Sequence, residues 1–503
     1  MKNRLRITAS IALAALAALS SCNDSYPGLN YDYGGDKITN NETYDKTPIM
    51  VFVNKQNFFS VSATRSGDGD SGSGPFVNGD DEKYSKSRFY IYAFRAKSDV
   101  GGMVELKSEP DLSVTRYADA NTGNNENELH CLLDGADYNY GMPAYLTTDR
   151  VGSFDFDMTN IKDEAVYYSS KYQDVGYNFF SYYIDNLDAG GVDAATGNKL
   201  NNPHRDKDRV YYDLVIDGTQ DIMCGRAPDL KADMFGTGKT YDVSLTTEEK
   251  NKVISIDGYS TFAAHRGVYP IVDMKHQLTQ LNFKAYPGDE KCENIVITGI
   301  TVHAVNTGIL TVASRDKNKV GFTPSDNPPV GLQLREASEN GEPCKPIDKE
   351  SDKYRLKWDR SELFETVNGK EQLKNIFNRP SMKIGGSMMV PPAESYQIDL
   401  HFKQEIKDKD GNIIETKDNL KSSYTIKAPE GSANLAEDGT FKFMNGYKYD
   451  IHIAVYGLRE IQMTANIDDW KNGGEIIINP DDPGYDIIYL SLIHISEPTR
   501  LRC

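Results

Sequence analysis

Tryptophan and positive charge are both scarce in this chain. Trp358 and Trp470 are the only tryptophans among 503 residues, although exposed tryptophan is a frequent stacking surface for sugars. Lysine and arginine number 56 against 74 acidic residues, so the formal net charge is −18. A chain this acidic repels nucleic acid and anionic lipid, and neither is expected as a partner.

Cysteine is scarce as well, and recognisable catalytic motifs are missing. Cys131, Cys224, Cys292 and Cys344 show no C-x-x-C and no other metal-ligand spacing. The sequence cannot choose among their possible pairings, and the wide, irregular spacings favour free buried thiols over disulfides. No H-x-x-x-H pair and no G-x-S-x-G nucleophile motif occurs. We therefore expect no metal, no cofactor and no enzymatic activity.

The chain also has no apolar run long enough to cross a bilayer, which takes roughly 20 apolar residues. The apolar stretch 7–19 is shorter, follows the basic residues Lys2, Arg4 and Arg6, and ends just before Cys22. This pattern predicts a secretory signal over residues 1–22.

The end of that signal, Leu-Ser-Ser-Cys at 19–22, resembles a bacterial lipobox. The resemblance implies that Cys22 receives lipid and becomes the first mature residue, with an ordinary signal peptide as the alternative. The lipid would hold the protein at the outer membrane, and which side it faces stays open. The polar residues 23–45 are interpreted as a tether.

Residues 490–503 need separate treatment. The peptide LSLIHISEPTR at 490–500 resembles the translated read-through of a common sequencing adapter. We exclude it from fold reasoning, as for a fusion scar, and expect the natural chain to continue past Tyr489.

In the rest of the chain, the main pattern is an alternation of apolar and polar residues with a period of two. Tyr396, Ile398, Leu400 and Phe402 share one face of a predicted strand, and the Asp410-Gly411 step after it is typical of a hairpin turn. Further strands are predicted at 88–94, 177–184, 210–216, 220–223, 278–283, 295–305 and 449–455. Without β-α-β alternation, this pattern predicts an all-β chain of antiparallel sandwiches.

Helical signals are few. Thr246 to Glu249 fits a capping box, and the apolar spacing over 361–377 predicts a second helix. We place a domain boundary near 263, giving an N-terminal sandwich over 46–262 and a C-terminal one over 263–489.

Six short segments follow one another along the chain: FYIYAF at 89–94, YNFFSYY at 177–183, QDIM at 220–223, VDMKHQLTQLNF at 272–283, MMVP at 388–391 and IDDW at 467–470. Together they resemble the Bacteroidales fimbrillin family, the Mfa-like and FimA-like subunits of type V pili. Their order and spacing carry the resemblance, which spans about 48–475. It implies two tandem transthyretin-like antiparallel β-sandwich domains with few short helices.

The family also implies assembly by strand exchange. An arginine-specific protease would cut a lipoprotein precursor after its first strand, and a strand from another pilus subunit would fill the vacated groove. Here the first strand would be 48–61, with Ile49, Val51, Phe52 and Val53 buried in the groove. Arg65, beside the flexible Gly/Ser/Asp stretch 66–74, is the candidate cleavage site, and an ordinary loop arginine is the alternative.

Two functions therefore remain open. The first is an adhesive pilus subunit of the cell surface and fimbrium, with an unknown receptor. The second is a monomeric surface lipoprotein that binds glycans for a polysaccharide-uptake system. The apolar runs 475–478 and 486–489 are candidate donor strands, so a stalk, tip or anchor position is also undecided.

Overall fold

The structure, a computed structural model, describes residues 47–53, 89–97, 109–115, 127–134, 140–147, 154–157, 166–169, 172, 175–184, 203–235, 245–337, 344–456 and 461–468. The strands are β1 Phe52–Val53, β2 Phe89–Arg95, β3 Cys131–Leu133, β4 Met142–Thr147, β5 Phe154–Asp157, β6 Tyr177–Ile184, β7 His204–Arg205, β8 Arg209–Val215, β9 Ile222–Arg226, β10 Ile271–His276, β11 Thr279–Pro287, β12 Ile295–Ala304, β13 Thr307–Ser314, β14 Gly321–Pro324, β15 Val330–Gln333, β16 Phe364–Val367, β17 Lys370–Leu373, β18 Met382–Val390, β19 Ser395–Lys407, β20 Ile413–Lys427, β21 Lys448–Val455 and β22 Ile461–Asp468.

The helices in the described residues are short. They are α1 Asn127–His130, α2 Thr247–Ile256, α3 Thr261–Ala264 and α4 Arg360–Leu363, with 3₁₀ turns at Ala232–Met234, Glu290–Asn294, Lys317–Lys319, Ile376–Asn378 and Ser432–Asn434. The capping box of α2 is present as predicted, because Thr246 and Glu249 each accept the other's backbone N–H. The predicted all-β class is confirmed.

The N-terminal half is organised around one large sheet with the strand order β3-β2-β4-β5-β1-β10-β9-β6. Because β2 pairs with both β4 and β6, the pairing closes into a ring. A second sheet, β14-β13-β8-β7, contributes Val210, Tyr212, Leu310 and Val312 to the same hydrophobic core. Most of the side chains of β2 and β6 that fill this first core are aromatic or branched.

The C-terminal half is a sandwich of two four-stranded sheets, β18-β11-β21-β22 and β15-β12-β19-β20. Its separate core combines Leu281 and Phe283 of β11 with Ile398 and Leu400 of β19 and Ile451 of β21. The alternation predicted for β19 and β21 therefore places one face of each strand in a core. In this half the pairing of β11 with β21 departs from the antiparallel expectation, because the two strands run parallel; β1 and β10 do so in the first half.

Two stretches beyond the predicted boundary at 263 contribute to the first core. β10 pairs with β9, and β13 pairs with β8 in the antiparallel sense. The change from the first core to the second falls between Leu278 and Leu281. At this junction the carboxylate of Asp221 lies 2.9 Å from His276 Nδ1, and both side chains are buried.

The long helix predicted over 361–377 is wrong. One helical turn, α4, is followed by the hairpin of β16 and β17. Asn368 and Gly369 both have positive φ (54° and 75°), the backbone of a two-residue hairpin turn. The β-branched pair Thr366 and Val367 just before this turn favours a strand.

The four cysteines Cys131, Cys224, Cys292 and Cys344 carry no disulfide. Burial raises the pKa of the Cys292 thiol to about 12, with smaller contributions from Asp289 and Glu293. A thiol held in its neutral form is a poor nucleophile, which fits a packing role for this side chain.

The alternation over 449–455 predicts that His452 lies on the polar face of its strand, and this prediction is wrong. Its side chain is buried on β21, with Nδ1 3.0 Å from the Tyr286 hydroxyl and its ring edge-on to Phe377. Burial lowers the pKa of His452 to about 4, although the nearby Asp450 opposes the shift.

Leu400→Ala is expected to lower the free energy of unfolding by about 2–5 kcal/mol, because it leaves a cavity in the second core. Ile414→Ala, at a side chain that is 66% exposed on β20, is the control and should change it by less than about 0.5 kcal/mol. Urea unfolding measures both. Equal losses would contradict the assignment of the core face.

A second prediction concerns the stability of the folded chain at acidic pH. Because the folded-state pKa of His452 is depressed, the unfolded chain binds the proton first, and stability falls as the pH drops from about 6.5 towards 4. Between pH 7.5 and 5 this group should cost about 2 kcal/mol. His452→Asn should remove that part of the loss in urea titrations at the two pH values, whereas His204→Asn, at an exposed strand end, should not. An unchanged pH dependence in the His452 variant would contradict the prediction.

Candidate assembly site

The first strand lies inside the ring sheet rather than at an edge. Phe52 pairs with Ile271 of β10 in the parallel sense and with Asp155 of β5 in the antiparallel sense. Val53 pairs with Val272 and Phe154 in the same way. A strand only two residues long therefore connects two otherwise separate strands and completes the ring.

The side chains of this segment alternate as a core strand requires. Ile49, Val51 and Val53 are 5%, 0% and 1% exposed and belong to the first core. Phe52 points to the other face, is half-buried, and packs against Tyr269 with ring centroids 5.5 Å apart. Burial of each aliphatic side chain is worth about 1.5–3 kcal/mol.

The backbone before β1 is also hydrogen-bonded on both sides. Ile49 N–H donates to the Val166 carbonyl (2.8 Å), and Phe52 N–H donates to the Pro270 carbonyl (2.9 Å). At the start of the segment, the Thr47 hydroxyl lies 2.8 Å from His265 Nε2, on the turn that leads into β10. We call residues 47–53 the first-strand segment and its surroundings on β5, 166–168 and β10 the slot.

Removal of the first-strand segment would expose both backbone polar groups and apolar side chains in the slot. The facing edges of β5 and β10 would lose their hydrogen-bond partners, and an apolar channel would open to water. A replacement strand would have to run parallel to β10, antiparallel to β5, and present apolar side chains at every second position.

The structure brings the predicted Ile49, Val51 and Val53 together in the core, and it places Phe52 at the rim of the slot. The lipidation candidate Cys22, the cleavage candidate Arg65 and residues 54–61 of the predicted strand lie outside the described residues. On sequence alone Arg95 is a weaker alternative to Arg65 as a cleavage site. It ends β2 and is only 2% exposed, so a protease has no access to it in the folded chain.

Sequence reasoning did not find the slot's own residues. β10 was assigned to the other side of a domain boundary, and its parallel pairing with β1 was not foreseen. The signal was present in Val272 and Met274, whose alternation is typical of a strand with one buried face. Nothing in the sequence indicated the contact between Thr47 and His265, since 218 positions separate them.

The described residues contain no grouping of histidine, cysteine and acidic side chains suited to hold a metal ion. None of the helices in the same residues is long and apolar enough to cross a membrane.

The chain matches no known protein-family model and no curated protein. It is similar to solved structures of Bacteroidales adhesion and fimbrial proteins. A candidate cell adhesion protein from Bacteroides uniformis shares 9% identity at a TM-score of 0.34, over 86% of this chain and 100% of the other. The fimbrial anchor protein Mfa2 from Porphyromonas gingivalis shares 10% identity at a TM-score of 0.25, over 85% and 99%. The tip fimbrial protein Mfa3 from the same organism, truncated at its C-terminus, shares 10% at 0.29, over 84% and 99%.

Val51→Thr tests the packing of the first-strand segment. The substitution keeps the shape of the side chain but buries a hydroxyl at a site with no solvent exposure, so we expect a loss of about 1–3 kcal/mol in the free energy of unfolding. Val215→Thr is the matched control, because Val215 is 48% exposed on β8. Chemical denaturation compares the two, and equal effects would mean that Val51 does not occupy the core.

Proposed function

We propose that this chain is a fimbrillin-like structural and adhesive pilus subunit of the cell surface, assembled by protease-triggered strand exchange. The observation that carries the proposal is the first-strand segment, which pairs on both sides within the ring yet is only two residues long as a strand. A short strand with three core side chains is well suited to replacement, because another chain can supply the same contacts.

Energetics explain why an emptied slot would not persist. Three aliphatic side chains at about 1.5–3 kcal/mol each, together with unpaired backbone groups, represent a large fraction of the stability of a typical domain. A donor strand from a second subunit would restore both contributions. The cleaved chain would therefore have a strong drive to associate.

The proposed trigger is cleavage after Arg65. This arginine follows the first strand closely and precedes a stretch rich in glycine, serine and aspartate at 66–74. Such composition favours protease access. Cleavage there would detach the first-strand segment from the rest of the ring without cutting any described strand.

The proposed donors are the apolar runs 475–478 and 486–489, separated by Pro480 to Gly484. The run 476–478 is three consecutive isoleucines, and one of its faces would present residues 476 and 478 two positions apart. That is the spacing at which Ile49, Val51 and Val53 enter the core. The partners are thus other pilus subunits, as a homopolymer or heteropolymer.

Lipidation of Cys22 is the proposed attachment to the outer membrane before assembly. The strongly acidic composition argues against electrostatic binding to anionic lipid, so a covalent anchor is the simpler means. The proposed role is non-enzymatic and needs no cofactor.

The assembly proposal is tested on the unlipidated chain over residues 23–489, which keeps Arg65 and both candidate donor runs. Treatment with an arginine-specific protease should give one new N-terminus, at Ser66, and a ladder of oligomers on an unboiled denaturing gel. Arg65→Lys keeps the charge but removes the cleavage residue, and it should give neither product.

Two results would overturn strand exchange. One is cleavage elsewhere in the wild-type chain with the ladder still formed in the Arg65→Lys variant. The other is clean cleavage after Arg65 that leaves only monomers at high protein concentration, which would point to a monomeric surface binder.

A further inference from the structure

The turn that leads into β10 contacts the first-strand segment at two points. The Thr47 hydroxyl lies 2.8 Å from His265 Nε2, and the Phe52 ring packs against Tyr269 with ring centroids 5.5 Å apart. Neither contact involves the aliphatic side chains that face the core. This wall of the slot therefore recognises the segment near both of its ends, and it does so through side chains of different chemistry.

The turn is held in place independently of the first-strand segment. The Gly267 N–H donates back into α3 (3.0 Å), and its φ of 68° is in the left-handed region that favours glycine. The guanidinium of the neighbouring Arg266 donates to Glu249 of α2 (2.7 Å). His265 and Tyr269 are thus positioned by contacts with the two helices.

The core-facing side chains of the segment cannot by themselves fix its register. Ile49, Val51 and Val53 are all β-branched and stand at every second position, so a slide of two residues moves Ile49 and Val51 into the places of Val51 and Val53. The backbone hydrogen bonds of a strand repeat at the same interval. A slide in the other direction would bring Lys55 into the core, so only one slipped register competes.

The two contacts with the turn distinguish these registers. In the slipped register Met50 takes the place of Phe52, and the aromatic contact with Tyr269 is lost. Asp45 takes the place of Thr47, which is only 5% exposed, so a carboxylate would have to be buried there. Both differences favour the observed register.

We propose that Tyr269 and His265 set the register of the strand in the slot and thereby select which strand can enter it. Tyr269 accepts a large apolar side chain that points outward, and His265 accepts a hydrogen-bonding side chain five positions earlier. The aliphatic core face supplies affinity, and these two positioning residues supply specificity.

For the donor strand, where the inference rests on the proposed function, the two contacts choose between the candidate runs. With Ile477 against Tyr269, Asn472 stands opposite His265, and the isoleucines on either side face the core. In every other register that places an apolar residue of the runs against Tyr269, an acidic residue faces the core or the residue opposite His265 cannot form a side-chain hydrogen bond. The acidic residues are Glu475 and Asp486, and the others are Gly473, Pro483 and Gly484.

Cysteine trapping on the uncleaved chain over residues 23–489 measures the register without any strand exchange. Val53 is the Cα partner of Phe154, so Val53→Cys combined with Phe154→Cys should form a disulfide. Val51→Cys combined with Phe154→Cys should form one only in the slipped register. Mild oxidation followed by mass spectrometry of the peptides gives the yield of each.

Tyr269→Ala combined with His265→Ala should raise the yield of the slipped disulfide about fivefold or more, because two contacts are lost. Tyr269→Phe combined with His265→Gln keeps a ring and a hydrogen-bonding group and should hold the observed register. The matched control is His204→Ala combined with Tyr211→Ala, a stacked pair outside the slot with ring centroids 5.2 Å apart. It should leave both yields unchanged.

The choice of donor is tested on the chain cleaved after Arg65. Ile477→Asp should reduce the oligomers on an unboiled denaturing gel about fivefold or more, because it places a charge against the Tyr269 ring. Ile488→Asp, the same change in the other run, should leave the ladder intact.

The register proposal is overturned if the double alanine variant traps no more slipped strand than the wild type, or if the control variant traps as much. Thermal unfolding of each variant shows whether the slipped disulfide forms in a folded chain. Equal loss of the ladder in Ile477→Asp and Ile488→Asp overturns the choice of donor. A wild-type chain that gives no ladder at all overturns the proposed function and the donor with it, while the trapping yields still decide the register.

Discussion

The closure of the ring sheet by β1 is the constraint on which the N-terminal half depends. Two residues supply the pairing that joins β5 to β10, and three alternating side chains in and before them fill the core beneath. Without that closure, β10 would present an open edge directly beside the junction to the second core. The shortest strand of the ring is therefore also the one whose loss would change its topology.

The junction itself shows how the two cores remain coupled. β10 ends in the first core, β11 begins the second, and His276 to Leu278 lie between them. The Gln277 backbone N–H donates to Ile222 in the first half, while Leu278 accepts from Gly446 in the second. The buried pair of Asp221 and His276 adds a specific polar contact at this point. The slot and the second core are thus connected through one continuous run of backbone.

The elements that could be predicted from the sequence are those whose signal is local. The alternation at 396–402 and 449–455, the capping box at Thr246 and the turn at Gly411 each depend on neighbours a few residues apart, and each is present. The prediction of a helix over 361–377 was wrong because it relied on the spacing of apolar residues and gave too little weight to the turn signal Asn368-Gly369. The burial of His452 was missed because Phe377 and Tyr286 cover it from distant parts of the chain.

The candidate assembly site was likewise predictable only in part from the sequence. The apolar residues of the first-strand segment were visible in the sequence, whereas the β5 and β10 walls required knowledge of long-range pairing.

The pairing of β13 with β8 has a consequence for the order in which the two halves can fold during synthesis. The first core contains Leu310 and Val312, contributed by a strand that follows two strands of the second sandwich along the chain. The N-terminal half therefore cannot complete its core until β13 and β14, which ends at Pro324, have also been synthesised. Folding of the two halves is therefore interleaved in time, and the first core stays incomplete while more than half of the chain is being synthesised.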